Sequence, residues 1–264
     1  MKTIVFVHGM FQNAKSWAQW VAYFESRGYR CIAENWPMHE GDPSALRANP
    51  PAGLGELGLP DVVSHFERIA MQAAQGGEKP IIIGHSVGGL VAQKLSAMGL
   101  ASAAVAISSV APNRMITFDM GLMKNTLAIT NPLMGDKIFE MDADGFYANF
   151  GNAMDRAASD EAWERTATHD SRNVFRDCLL GPGEIDDMDA PHPPMLFIGG
   201  EKDEIIPPEL NEKNAKAYKD ENSAVVFQEF PNRGHFICGQ PGWEEVAGFA
   251  ADFLERSVPG AAQA

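Results

Sequence analysis

Six short runs along the chain carry enough apolar residues to form strands: Thr3–Val7 (TIVFV), Arg30–Glu34 (RCIAE), Pro80–Gly84 (PIIIG), Ala103–Ser108 (AAVAIS), Met195–Gly199 (MLFIG) and Ala224–Glu229 (AVVFQE). Several are apolar at nearly every position instead of alternating, the pattern of strands covered on both faces. Between them Lys15–Arg27, Asp61–Gln75, Val87–Met98, Pro208–Tyr218 and Trp243–Arg256 read as helices. Asn13 or Ser16 can cap the first of these, Gly28 stops it, and Pro60 with Asp61 opens the second. The alternation predicts an α/β fold with a six-stranded, mostly parallel sheet flanked by helices.

The stretch from Asn113 to about Ala190 breaks that rhythm between the fourth and fifth strands. Its pattern is helical, and it carries no convincing strand. We therefore expect a core formed by residues 1–112 and 191–264, with residues 113–190 inserted as a helical cap. Met115, Phe118, Met120, Met123, Phe139, Met141, Phe146 and Phe150 give the insert an apolar, methionine-rich face. Most of these side chains should bury the insert against the core. Flexible thioethers also suit an adaptable pocket wall, which makes Met120 and Met123 candidate substrate contacts.

Composition narrows the partners. The net charge of -14 over 264 residues opposes binding to phosphate backbones, so nucleic acid is not expected. Three cysteines, Cys31, Cys178 and Cys238, are widely spaced and fit neither a disulfide framework nor a zinc site. No apolar stretch is long enough for a membrane span, and Thr3–Val7 is cut short by His8-Gly9 before it reaches signal-peptide length. A cytoplasmic location is the expectation; oligomeric state is not legible.

The chemistry centres on Gly84-His85-Ser86-Val87-Gly88. A G-x-S-x-G string occurs by chance, but this one follows the apolar run PIII and precedes the helix-forming LVAQKLSAM. Strand, tight turn and helix in that order force the serine into a sharp elbow. A glycine-rich phosphate-binding turn is the alternative, but no G-x-G-x-x-G register can be laid over these residues.

With this elbow the chain resembles the α/β-hydrolase superfamily, specifically its lid-bearing, esterase- and lipase-like serine hydrolases. Three further stretches extend the resemblance over nearly the whole chain. His8-Gly9-Met10-Phe11 is similar to the family's oxyanion loop, which implies that the backbone N–H groups of Met10 and Val87 form an oxyanion hole. Phe197–Asp203 looks like the family's acid-bearing loop and puts Asp203 in the acid's place. Glu201, Glu204 and Asp119 are the other carboxylates that could serve. Asn232-Arg233-Gly234-His235-Phe236 follows the last strand and implies His235 as the base. Phe11 and Phe236, beside these residues, are further candidate substrate contacts.

The resemblance implies a serine esterase acting through an acyl-enzyme on a small to medium, largely apolar substrate. Ser86 would attack, His235 would move the proton, and Asp203 would orient His235. No metal or organic cofactor is needed. Serine at the elbow argues against alkyl-enzyme chemistry, which uses aspartate there, and Phe236 replaces the lysine that follows the histidine in hydroxynitrile lyases. A lactonase, thioesterase or carbon–carbon bond hydrolase would use the same residues. A non-catalytic ligand-binding homologue is the reading from another class.

Overall fold

A computed structural model describes residues 1–112, 115, 129–258 and 260. Six strands form one sheet: β1 (Thr3–Val7), β2 (Arg30–Ala33), β3 (Ile81–His85), β4 (Ala103–Ile107), β5 (Met195–Gly200) and β6 (Val225–Phe230). Their order is β2-β1-β3-β4-β5-β6, and every pairing is parallel. The direction of winding reverses between β1 and β3. In an open parallel sheet the loops leaving two such strands part at their carboxyl ends, and a crevice opens there.

Successive strand residues face opposite sides. Ile4, Phe6, Ile81, Ile83, Val105 and Ile107 point toward α1 (Ala18–Glu25) and the C-terminal helix Trp243–Ser257. Phe6 lies against Trp17 and Phe24, with ring centroids 5.1 and 6.1 Å away. Val5, Val7 and Ile82 point the other way, into a core shared with α3 (Leu59–Ala73) and α4 (Val87–Ala97). Helices on both faces explain why these strands read as continuous apolar runs.

The helices differ from expectation mainly at their ends. The run starting at Lys15 splits into a 3₁₀ turn, Ala14–Trp17, and α1; Asn13 caps the turn by accepting from the Lys15 N–H. Helix α2 (Pro43–Ala48), which the sequence pattern did not single out, follows β2 and is capped by Asp42. Helix α3 begins two residues before Asp61, whose carboxylate reaches back to the Gly58 N–H at 2.9 Å.

Between β4 and β5 the described residues contain three α-helices: α5 (Ala143–Asn149), α6 (Arg156–Thr166) and α7 (Arg172–Cys178). Each is opened by a side chain that accepts a first-turn N–H, from Asp142, Asp155 and Ser171 respectively. The strand-like contact in this insert is an isolated antiparallel bridge between Phe139 and Asp170. Two further helices complete the chain as described, α8 (Pro208–Ala215) and α9 (Trp243–Ser257). No described helix is long and apolar enough to cross a membrane.

Candidate active site

Ser86 sits between β3 and α4 with φ 57° and ψ -121°, a conformation costly for a residue with a Cβ. The surroundings hold it there. Its N–H donates to the Ile107 carbonyl (2.9 Å), and its own carbonyl accepts from Gly89 (3.0 Å) and Val110 (3.1 Å). Glycine is required on both sides of the elbow: a Cβ on Gly84 would collide with the Gly88 carbonyl, and one on Gly88 with that of Val7.

The loop after β1 runs alongside, because the winding reverses here. His8 is buried with both ring nitrogens engaged: Nδ1 lies 2.9 Å from the Gly9 carbonyl, and Nε2 accepts the Trp36 N–H at 3.0 Å. That pairing requires a neutral ring, and burial together with nearby His39 pushes its pKa well below the usual value. Among the described residues, neither the Met10 nor the Val87 N–H has a hydrogen-bond acceptor. Phe11 adopts φ 63° and donates its N–H to the Asp170 carboxylate at 2.9 Å.

Asp203 follows β5 and is 4% exposed. Its Oδ1 accepts the N–H groups of Ile205 (3.0 Å) and Ile206 (2.8 Å), which fixes the carboxylate and leaves Oδ2 facing His235 Nδ1 at 2.8 Å. With Nδ1 committed to Asp203, Nε2 is the ring nitrogen free to serve a group in the cavity. Gln240 braces the histidine loop, accepting from the Gly234 N–H and donating to the Asn232 carbonyl. Behind it, His85 Nε2 donates to the His235 carbonyl at 2.8 Å, and burial lowers the pKa of His85 to about 3 with help from nearby His235. His85 therefore adds no charge near His235.

Ser86, His235, Met10, Val87 and Phe11 all line one cavity of about 200 Å³, and Phe150 of the insert is also in its wall. Its wall is mostly apolar, and the exposed Glu140 and Asp142 border it. Phe236 lies elsewhere: buried, it packs edge-on against Phe146 with centroids 5.3 Å apart. Met120, Met123 and Asp119 fall outside the described residues. Glu201 and Glu204 are exposed, and Glu201 is spent on the Asn232 N–H. His169 accepts the Met141 N–H and is not among the described residues of the cavity wall. Sequence reasoning passed over Asp170, which acts on Phe11 across a long sequence separation, and Gln240, which belongs to no recognisable motif. No cluster of His, Cys, Asp or Glu suited to a metal ion occurs among the described residues.

The sequence profile of the Alpha/beta hydrolase family matches residues 4–248. The chain belongs to the α/β-hydrolase family. Among curated relatives, a rice protein (Oryza sativa subsp. indica) named "Probable esterase PIR7A" is 36% identical over 89 residues, 34% of this chain and 31% of that protein. The match thus spans about a third of the length of this relative. Among solved structures, the monoacylglycerol lipase of Paleococcus ferrophilus superposes with a TM-score of 0.70 at 19% identity, covering 96% of this chain and 93% of the lipase. A bromoperoxidase from Bacillus anthracis gives 0.63 at 18% identity, covering 96% and 92%. At such identities the shared property is the α/β-hydrolase fold itself, which hosts several chemistries.

Proposed function

We propose that this α/β-hydrolase is a serine hydrolase that cleaves an ester bond of a small, largely apolar substrate through an acyl-enzyme. The observation that carries the reading is the 2.8 Å contact between His235 Nδ1 and Asp203, with His235 and Ser86 in the wall of the same cavity. A serine hydroxyl is a weak nucleophile at neutral pH and needs a base whose tautomer is fixed by a third group. Asp203 fixes that tautomer. Nε2 of His235 takes the Ser86 proton as Oγ attacks the carbonyl carbon and returns it to the departing alcohol. Water, activated by the same nitrogen, then releases the acid.

The unpaired N–H groups of Met10 and Val87 would receive the negative charge that develops on the carbonyl oxygen. Such a donor contributes roughly a hundredfold to a thousandfold in rate. The apolar wall favours uncharged acyl or alcohol groups. In this reading the insert, residues 113–190, is the cap that shapes the pocket.

The test is reaction with a fluorophosphonate probe, alongside turnover of p-nitrophenyl esters, lactones and acyl thioesters. Stoichiometric labelling that is lost in Ser86→Ala, with ester turnover above the other classes, is the expected result. Folded protein that neither labels nor turns over any member of the panel sinks the proposal.

A further inference from the structure

Asp170, between α6 and α7 of the insert, is fully buried, and protein groups surround its carboxylate. Its Oδ1 accepts the Ser171 N–H at 2.7 Å, and its Oδ2 accepts the Phe11 N–H at 2.9 Å. The same Oδ2 faces His39 Nε2 at 3.4 Å, an ion-pair contact longer than a well-formed hydrogen bond. The other ring nitrogen of His39 lies 3.0 Å from the Pro37 carbonyl. A carbonyl can only accept, so Nδ1 carries its proton toward Pro37; Nε2 has no hydrogen-bond partner within reach, and the Asp170 carboxylate beside it favours the protonated, imidazolium form of the ring. Burial is the largest single influence and opposes that charge, but the Asp170 carboxylate, the Pro37 carbonyl and Glu40 together outweigh it and hold the pKa of His39 above the usual histidine value. The other titratable groups facing His39 are Glu40, which supports its charge, and His8, which is neutral.

The pair bears on the cavity through Phe11. A non-glycine residue at φ 63° stays there only when its neighbours determine it. Here the Asp170 carboxylate takes the N–H of Phe11, and the Thr168 N–H donates to its carbonyl at 2.9 Å. The Phe11 N–H shares a rigid peptide plane with the Met10 carbonyl, so fixing it fixes one side of Met10. The Met10 N–H is on the other side of the same residue.

We propose that Asp170, paired with His39, is a positioning residue that pins Phe11 and thereby keeps the Met10 N–H aimed into the cavity. The inference rests on the serine-hydrolase reading above and adds to it a buried ion pair reaching from the insert to the oxyanion loop. A misaimed donor weakens binding of the transition state more than that of the substrate, so the loss should fall on kcat. When His39 loses its proton at alkaline pH, the carboxylate loses its counter-charge and kcat should fall as well.

The experiment measures kcat and KM from pH 6 to 10 for wild type, Asp170→Asn and His39→Gln, with fluorophosphonate labelling of each. The expected result is a kcat in Asp170→Asn lowered tenfold or more with KM changed less than threefold. His39→Gln, which keeps a neutral donor beside Asp170, should lose the alkaline fall in kcat seen in wild type. It serves as the second variant should Asp170→Asn fail to fold. If wild type labels and turns over but folded Asp170→Asn keeps wild-type kcat, or His39→Gln keeps the alkaline limb, the positioning role is overturned alone. Wild type that does not label overturns the serine-hydrolase reading, and this inference with it.

Discussion

A β-carbon added to Gly9 would lie 2.7 Å from the Cβ of Ser86, so the loop after β1 and the elbow after β3 touch with no room for a methyl group. The same added atom would be 3.0 Å from the His85 carbonyl oxygen. Gly9→Ala must push the two loops apart, and Met10 moves with them. We expect ester turnover to fall by about a hundredfold or more, the scale of losing one oxyanion donor. Overpacking should also cost roughly 1–3 kcal/mol, seen as a lower melting temperature. Wild-type turnover in this variant would show that the two loops do not act together.

Asp203→Asn should keep the fold, because an amide oxygen can still accept the N–H groups of Ile205 and Ile206. An amide nitrogen facing His235 Nδ1 would favour the wrong tautomer. By analogy with serine proteases bearing the same change, turnover should drop about ten-thousandfold. Steady-state kinetics with circular dichroism as a control decides it; activity within a few-fold of wild type moves the acid elsewhere.

The inner strands β1, β3, β4 and β5 were legible because each is buried on both faces, which leaves a nearly unbroken apolar run, whereas the edge strands β2 and β6 are only part-buried; observed ends differ from the expected ones by about one residue. The serine elbow was legible as a short strand-turn-helix motif, although only the collision that demands Gly84 is local in sequence; Gly88 is demanded by the Val7 carbonyl of the neighbouring strand. What could not be read depends on partners far along the chain. Nothing around Asp170 announces that it meets Phe11 and His39, and Phe236, adjacent to His235, turns into the core beside Phe146. Sequence adjacency on a tight turn says little about which way a side chain points.

Acid should destabilise the protein earlier than carboxylate titration alone would. His8 and His85 are neutral when folded, with pKa values lowered chiefly by burial, whereas the unfolded chain titrates near 6.5. Their contribution is fully present above about pH 6.5 and is lost as pH falls, because only the unfolded state then takes up protons. The slope is at most about 1.4 kcal/mol per pH unit for each histidine. For His85 the window extends down to about pH 3. The raised pKa of His39 acts above 6.5 and does not offset this loss. Urea midpoints should fall steadily from pH 6.5 to 4.5, and less steeply in His85→Gln; equal slopes would contradict the assignment.

Arg47 of α2 ties the core to the insert at the end of α6. Its Nη1 donates to the Ala167 carbonyl at 2.6 Å and to that of Trp163 at 3.2 Å, while the guanidinium lies 4.0 Å from the Trp163 ring centroid. The Ala167 carbonyl lies at the C-cap of α6, where internal donors run out, while that of Trp163 also accepts the Ala167 N–H. Arg47→Ala should cost about 1–3 kcal/mol and speed proteolysis near α6. Arg47→Lys should recover little, since an ammonium cannot fork to several carbonyls while stacking on a ring. Limited proteolysis with mass mapping reads both effects; unchanged cleavage would mean the clamp is incidental.

Glu140 and Asp142 border the cavity, and no lysine or arginine is among the described residues of its wall. In the proposed reaction an ester is neutral on arrival, but the acid left after its cleavage would be an anion in apolar surroundings beside two more acidic groups. Loss of hydration and like-charge repulsion both drive it outward. For the proposed ester cleavage, the rim would therefore favour outward release of the spent acid and make its rebinding weak.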